Sequence, residues 1–260
     1  MKQIIFFLLL SVTLFAQTNL NKGNVIFLHP DGTGLNAYNA MRILYFGPDG
    51  TSNWDRLTNI GLYRGHMEDA LTASSNAGAT VHAYGVKVKL NAFGLNNDEK
   101  IVARSGKKMS IMEEAISKGI KTGLINSGSI VEPGSACFVT GVSRRNQFEE
   151  ITKQMIDSGV DVILSGGEKW FLPKGTKGFH GEGVRSDNIN LIEVAREKGY
   201  YIVYTKDELQ KIPSSATKLL GIFAEESTFN DVKEEEQKTK NLPNYNPRSE
   251  ERRVGKECIY

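Results

Sequence analysis

Cysteine and histidine are scarce. Two cysteines in 260 residues cannot build a disulfide scaffold, and four histidines, no two of them close together, cannot build a dense histidine metal site. A dominant sign of charge is also missing. Thirty-two Lys and Arg against 30 Asp and Glu leave a net charge of +2, without the concentrated basic surface that nucleic-acid binding uses. After the first sixteen residues no run approaches the roughly 20 apolar residues that span a bilayer. What is present is globular: 40% hydrophobic and 24% charged residues exclude a wholly disordered, collagenous or coiled-coil chain. The length allows one large domain or two small ones.

The two ends differ from the body. Lys2 followed by an almost wholly apolar stretch from Ile4 to Phe15, with Ala16 before Gln17, has the pattern of a cleaved export signal over 1–16. A periplasmic or secreted protein, with no membrane attachment after cleavage, is expected. The Lys206–Leu209 tetrapeptide is internal and is no retention address. At the other end, Arg248 to Cys258 resembles the in-frame translation of a sequencing adapter, so 248–260 is expected to be non-native. Cys137 is then the only native thiol, and 17–247 is the body.

Along that body strand-like and helix-like stretches alternate. Asn24–His29 is a short apolar run ending in the turn Pro30-Asp31-Gly32, which suits a buried strand. Leu35–Leu44 has helical spacing, Ile60–Arg64 reads as a strand, and Ser75–Tyr84 reads as an Ala-rich helix closed by Gly85. Three helices (Met109–Lys118, Asn146–Ser158 and Asp187–Lys198) each end at a glycine. The strands Lys121–Asn126, Val160–Ser165 and Tyr200–Tyr204 follow them, and Lys218–Ala224 is the last strand. This helix-Gly-strand rhythm is that of a parallel sheet flanked by helices, which places ligands at the carboxyl ends of its strands. Asp231–Pro247 is polar and reads as a loop or linker.

Three segments carry chemistry. Asp31, just after the first strand, can offer both carboxylate oxygens to a cation, although Asp-Gly is also an ordinary turn signal. In Leu71–Thr80 small residues lead straight into a helix. Ser74, Ser75 and Asn76 there either cap it or use its N–H groups and dipole to stabilise an alkoxide and bind phosphate. Glu132-Pro133-Gly134-Ser135 is followed by Arg144 and Arg145, and an Arg fork can hold two phosphate oxygens at once.

In this order the segments Asn24–Gly34, Thr72–Lys87 and Lys118–Arg145 resemble the alkaline phosphatase family, and the resemblance runs from about residue 24 to 247. It implies an α/β three-layer sandwich with a mainly parallel central sheet flanked by helices, truncated to the N-terminal portion of a family chain. It implies phosphate monoester hydrolysis through a phosphoserine, with two Zn²⁺ and one Mg²⁺ in the complete protein. Residue by residue, Asp31 matches a zinc carboxylate that also bears on magnesium. Ser75 matches the nucleophile that touches zinc, and Arg145 matches the phosphate clamp. Glu132 stands where the family often has a magnesium-sphere Asp. Ser74 and Arg144 are the runners-up for Ser75 and Arg145. Ser74 also departs from the Asp that the family often has before the nucleophile, which removes a carboxylate that would orient the arginine. Gly134 replaces a hydroxyl-bearing residue, with Ser135 next door.

The other ligands that the resemblance calls for are not found. His66 and His180 read as loop residues, His82 as packing, and Asp157 and Asp161 as solvated caps; no Asp-His dipeptide occurs. The chain is therefore expected to be inactive by itself. Monomer and homodimer both stay open. The rivals are a phosphodiesterase, mutase or sulfatase relative, and an exported phosphate-binding module that needs no metal.

Overall fold

A computed structural model describes residues 23–228. The export signal, the Asp231–Pro247 linker and the 248–260 tail lie outside the described residues. The chain divides into two units, one ending at Pro30 and the other beginning at Asp31.

In the first unit, residues 23–30 form no strand, and Val25 and Ile26 are 97% and 82% exposed. The buried strand expected at Asn24–His29 is absent. Ile60–Arg64, in the second unit, is not a strand either, with Ile60 and Leu62 fully in solvent. Both runs have strand composition. Pairing, however, needs a partner that satisfies the backbone N–H and C=O groups, and no described segment provides one.

The second unit starts at the turn carrying Asp31. Its elements are α1 (Leu35–Phe46), α2 (Ser75–Tyr84), β1 (Leu95–Asn96), β2 (Glu99–Lys100), α3 (Ile111–Ser117) and β3 (Gly123–Ser129). They continue as α4 (Pro133–Ala136), α5 (Phe148–Asp157), β4 (Val162–Gly166), α6 (Leu191–Glu197), β5 (Tyr200–Val203), α7 (Lys206–Leu209) and β6 (Lys218–Ile222). The fold is α/β. β1 and β2 form a small antiparallel hairpin; the other four strands form one wholly parallel sheet in the order β3-β4-β6-β5.

The helix-Gly-strand rhythm is realised three times. Gly119, Gly159 and Gly199 take φ of 69°, 84° and 85°, a left-handed conformation that ends each helix and turns the chain into β3, β4 and β5. Helix starts are equally local in origin. Ser110 and Glu113 form a reciprocal capping box on α3, and the Asn190 side chain accepts from Ile192 and Glu193 N–H groups to start α6. α5 buries Ile151, Thr152, Met155 and Ile156, one face of a 3.6-residue repeat.

Register aligns Leu124, Ile163 and Leu220 across the sheet, with Ile202 at the β5 end. The first three are buried and belong to one core, which also takes in α2 and the segment after α4. α4 packs against α2 and β3, and α6 packs against β5 and α5. Asp161, read from sequence as a solvated cap, instead clips β3 to β4. Its carboxylate accepts from Thr122 N–H at 2.9 Å and from Lys121 Nζ at 2.7 Å. α1 buries none of its residues, and no described helix is long and apolar enough to cross a membrane.

Candidate phosphate site

The cap of α2 falls on one serine. Ser74 is extended (φ −105°, ψ 162°), and its Oγ accepts from Ala77 N–H at 3.2 Å and donates to the Leu90 carbonyl at 2.5 Å. Asn76 is buried, and its Nδ2 donates to the Ala92 carbonyl at 2.9 Å. Ser75 lies between them as the first helical residue. It is half-buried, and its hydroxyl has no hydrogen-bond partner among the described residues. The helix start therefore separates two jobs that the sequence left shared: Ser74 holds the helix, and Ser75 is left uncommitted at the positive end of the dipole.

That division has a measurable consequence. Ser74→Ala should cost about 1 kcal/mol of stability through loss of the cap, whereas Ser75→Ala should stay within about 0.5 kcal/mol. Urea unfolding of the two variants checks it; the reverse order would put the cap on Ser75.

The carboxyl end of β3 carries the second part of the site. Three residues beyond Ser129, Glu132 stands at the start of α4 without a side-chain cap bond, its N–H donating to the Ser129 carbonyl at 3.0 Å. Its Oε2 lies 2.9 Å from Arg145 Nη2, and the two side chains are 41% and 48% exposed. Arg144 makes no such contact; its backbone N–H is tied to Gln147 Oε1 at 2.9 Å. Cys137, just after α4, is fully buried with its Sγ 3.6 Å from the Asn76 carbonyl. Burial pushes its thiol up to about 12, opposed by hydrogen bonding with Thr80 and Gly94 and, last, by the Arg145 charge.

One contributor was missed in the sequence. Asn126 Nδ2 donates to Ser135 Oγ at 3.0 Å, Asn126 Oδ1 accepts from Gly128 N–H at 2.8 Å, and Ser135 Oγ donates to the Glu132 carbonyl at 3.4 Å. Asn126 thus holds the turn that presents Glu132, and the Asn-x-Gly spacing was the signal for it. Ser135 is 5% exposed and spent on this turn.

Asp31 is not gathered into this group. It stands exposed on its turn, where its carbonyl accepts from Thr33 Oγ1 at 3.5 Å. His82 packs on Tyr63, with ring centroids 5.2 Å apart. His180 Nε2 lies within 3.2 Å of the Tyr204 carbonyl and 3.0 Å of the Ile222 carbonyl, and so ties a loop to the ends of β5 and β6.

Residues 22–246 match the family model described as alkaline phosphatase. The chain belongs to the alkaline phosphatase family. It is 30% identical over 217 residues to alkaline phosphatase 4 of Bacillus subtilis, covering 78% of this chain and 42% of the relative. The alkaline phosphatase of the Antarctic bacterium TAB5 superposes with a TM-score of 0.62 at 27% identity, covering 76% of this chain and 52% of that one. A variant of that TAB5 enzyme with Mg bound in its M3 site superposes with a TM-score of 0.61 at 26% identity, covering 76% and 51%. The chain thus spans about half the length of these alkaline phosphatases.

A two-zinc, one-magnesium centre does not fit the described residues. Among the described residues no three His, Cys, Asp or Glu side chains converge, Glu132 is turned onto Arg145, and Asp31 faces solvent. Such a centre needs three or four ligands per ion.

Proposed function

We propose that this chain carries the nucleophile and phosphate clamp of a phosphate monoester hydrolase that works through a phosphoserine. The uncommitted Ser75 hydroxyl at the start of α2, beside a Ser74 that has taken over the cap, is the observation that carries the reading. Arg145 and the N–H groups at the helix start bind the non-bridging phosphate oxygens. Ser75 Oγ attacks phosphorus in line, the bond from phosphorus to the ester oxygen breaks, and the alcohol leaves. Water then cleaves the phosphoserine, returning the serine and inorganic phosphate.

No described residue accepts the Ser75 proton or donates one to the leaving alcohol. The family's zinc pair belongs to the proposal for the whole enzyme, and no step here runs through it. We therefore propose that the 260-residue chain by itself does not turn over. Phosphomonoesters as substrates, export through 1–16 to the periplasm or exterior, and assembly as monomer or homodimer are proposals of the same kind.

Hydrolysis of a simple aryl phosphate with added Zn²⁺ and Mg²⁺ is the test. No turnover above buffer is expected. Metal-dependent turnover that Ser75→Ala abolishes would overturn the inactivity and support the reaction. Binding of inorganic phosphate that is indifferent to Arg145→Ala would overturn the site itself and leave the family's fold without its expected use.

A further inference from the structure

We infer that Glu132 competes with phosphate for Arg145: in the phosphate-free protein its carboxylate occupies the guanidinium, and an incoming phosphate must displace it. The inference rests on the reading of Arg145 as the phosphate clamp.

The geometry is one-sided. Among the described residues Arg145 touches a single carboxylate through a single contact, Nη2 to Glu132 Oε2 at 2.9 Å. The residue before Ser75 offers no alternative partner, because Ser74 is a hydroxyl already spent on Ala77 and Leu90. The reach of Glu132 depends on the turn beneath it. A Cβ on Gly128 would stand 3.3 Å from Glu132 Cγ and 3.2 Å from Asn126 Oδ1, close enough to press the Glu132 stem by a few tenths of an ångström.

Charge decides the sign. With Glu132 paired, clamp and carboxylate sum to zero, and a phosphate dianion arriving at the guanidinium meets a fixed negative charge a few ångströms away. Exposed pairs of this kind are weak, so the carboxylate gives way rather than blocking the site. Its charge stays nearby and opposes the bound phosphate.

The experiment is calorimetric titration of inorganic phosphate, without divalent metal and at low ionic strength, into the 260-residue chain and three variants. Glu132→Gln, nearly isosteric and at a half-exposed position, should bind phosphate roughly threefold to tenfold more tightly than the parent, as expected for one unit charge acting through partly screened solvent. Glu132→Asp should fall between them, because the shorter side chain releases the guanidinium but keeps its charge. Arg145→Ala should bind no phosphate. The gain in Glu132→Gln should shrink as the Debye length falls toward about 3 Å in 1 M salt, which a purely structural effect would not do. Equal or weaker binding by Glu132→Gln, with Arg145→Ala still defective, overturns the competition and makes Glu132 a positioning residue. Binding unaffected by Arg145→Ala, or absent in every variant including Glu132→Gln, overturns the clamp itself and the competition with it.

Discussion

Arg185→Ala is expected to remove about 3–5 kcal/mol of stability, the range for breaking a buried charged group out of its partners. Arg185, in the loop that precedes α6, is fully buried. Its Nε donates to Asp187 Oδ1 at 3.0 Å, its Nη2 pairs with Asp187 Oδ2, and its Nη1 donates to the carbonyls of Glu149 at 3.1 Å and Trp170 at 2.9 Å. It thus joins α5 to the turn after β4. Alanine would leave a cavity, two carbonyls short of a donor, and a carboxylate without its cation.

The same pair sets a pH dependence. The hydrogen bond from Arg185 is the main cause that holds the Asp187 carboxyl below its ordinary value of 3.8. A carboxylate depressed in the folded state contributes stability above its unfolded value and loses that contribution as pH falls through the folded one. The parent should therefore lose stability below about pH 4, and Arg185→Ala should lose less over the same interval. Urea unfolding at neutral pH and down to pH 2 measures both effects. A neutral-pH loss under about 1 kcal/mol, the value of an exposed pair, would contradict the account.

Gly94→Ala is expected to cost about 2–5 kcal/mol, combining left-handed strain with overpacking, and to weaken phosphate binding at the same time. Gly94 has φ of 65°, and a Cβ there would stand 1.7 Å from the Thr140 carbonyl oxygen. Its N–H donates to Thr80 Oγ1 of α2 at 3.0 Å, and the Phe93 carbonyl beside it accepts from Val142 N–H at 3.0 Å. Residues 92–94 are therefore the spacer between the serine helix and the segment that leads to Arg145. Pushing Thr140 away should move α2 relative to the segment that leads to Arg145. Gly78→Ala is the matched control. It lies within α2, nothing stands within 4 Å of its Cβ position, and the substitution should stabilise by about 0.5–1 kcal/mol. Thermal unfolding together with phosphate titration separates the two glycines. Equal behaviour would mean that residues 92–94 do not set the spacing.

The local features were legible in the sequence because their causes are local. The limits of α2 follow from a serine before an Ala-rich run and a glycine after it, and Ser75–Tyr84 is the observed helix. The glycines at 119, 159 and 199 announced three helix-to-strand turns through a backbone conformation that glycine adopts without penalty. The same method failed at Asn24–His29 and Ile60–Arg64. Apolar composition reports a tendency to be buried, whereas a strand also needs a neighbour to complete its hydrogen bonds.

By itself the sequence determined the family and the parallel α/β pattern, and it singled out Asp31, Ser75, Glu132 and Arg145 as candidates for phosphate chemistry. Tertiary structure alone decided which partners they meet. It spent Ser74 on the cap and left the Ser75 hydroxyl without a partner among the described residues, set Arg145 rather than Arg144 against Glu132, and left Asp31 on an exposed turn. The reason is physical. Residue type fixes what a side chain can donate or accept, but the partner it meets depends on which distant segment packs beside it. Glu132 and Arg145, thirteen positions apart, meet only in the folded chain, where the turn after β3 and the loop after α4 bring their side chains to 2.9 Å.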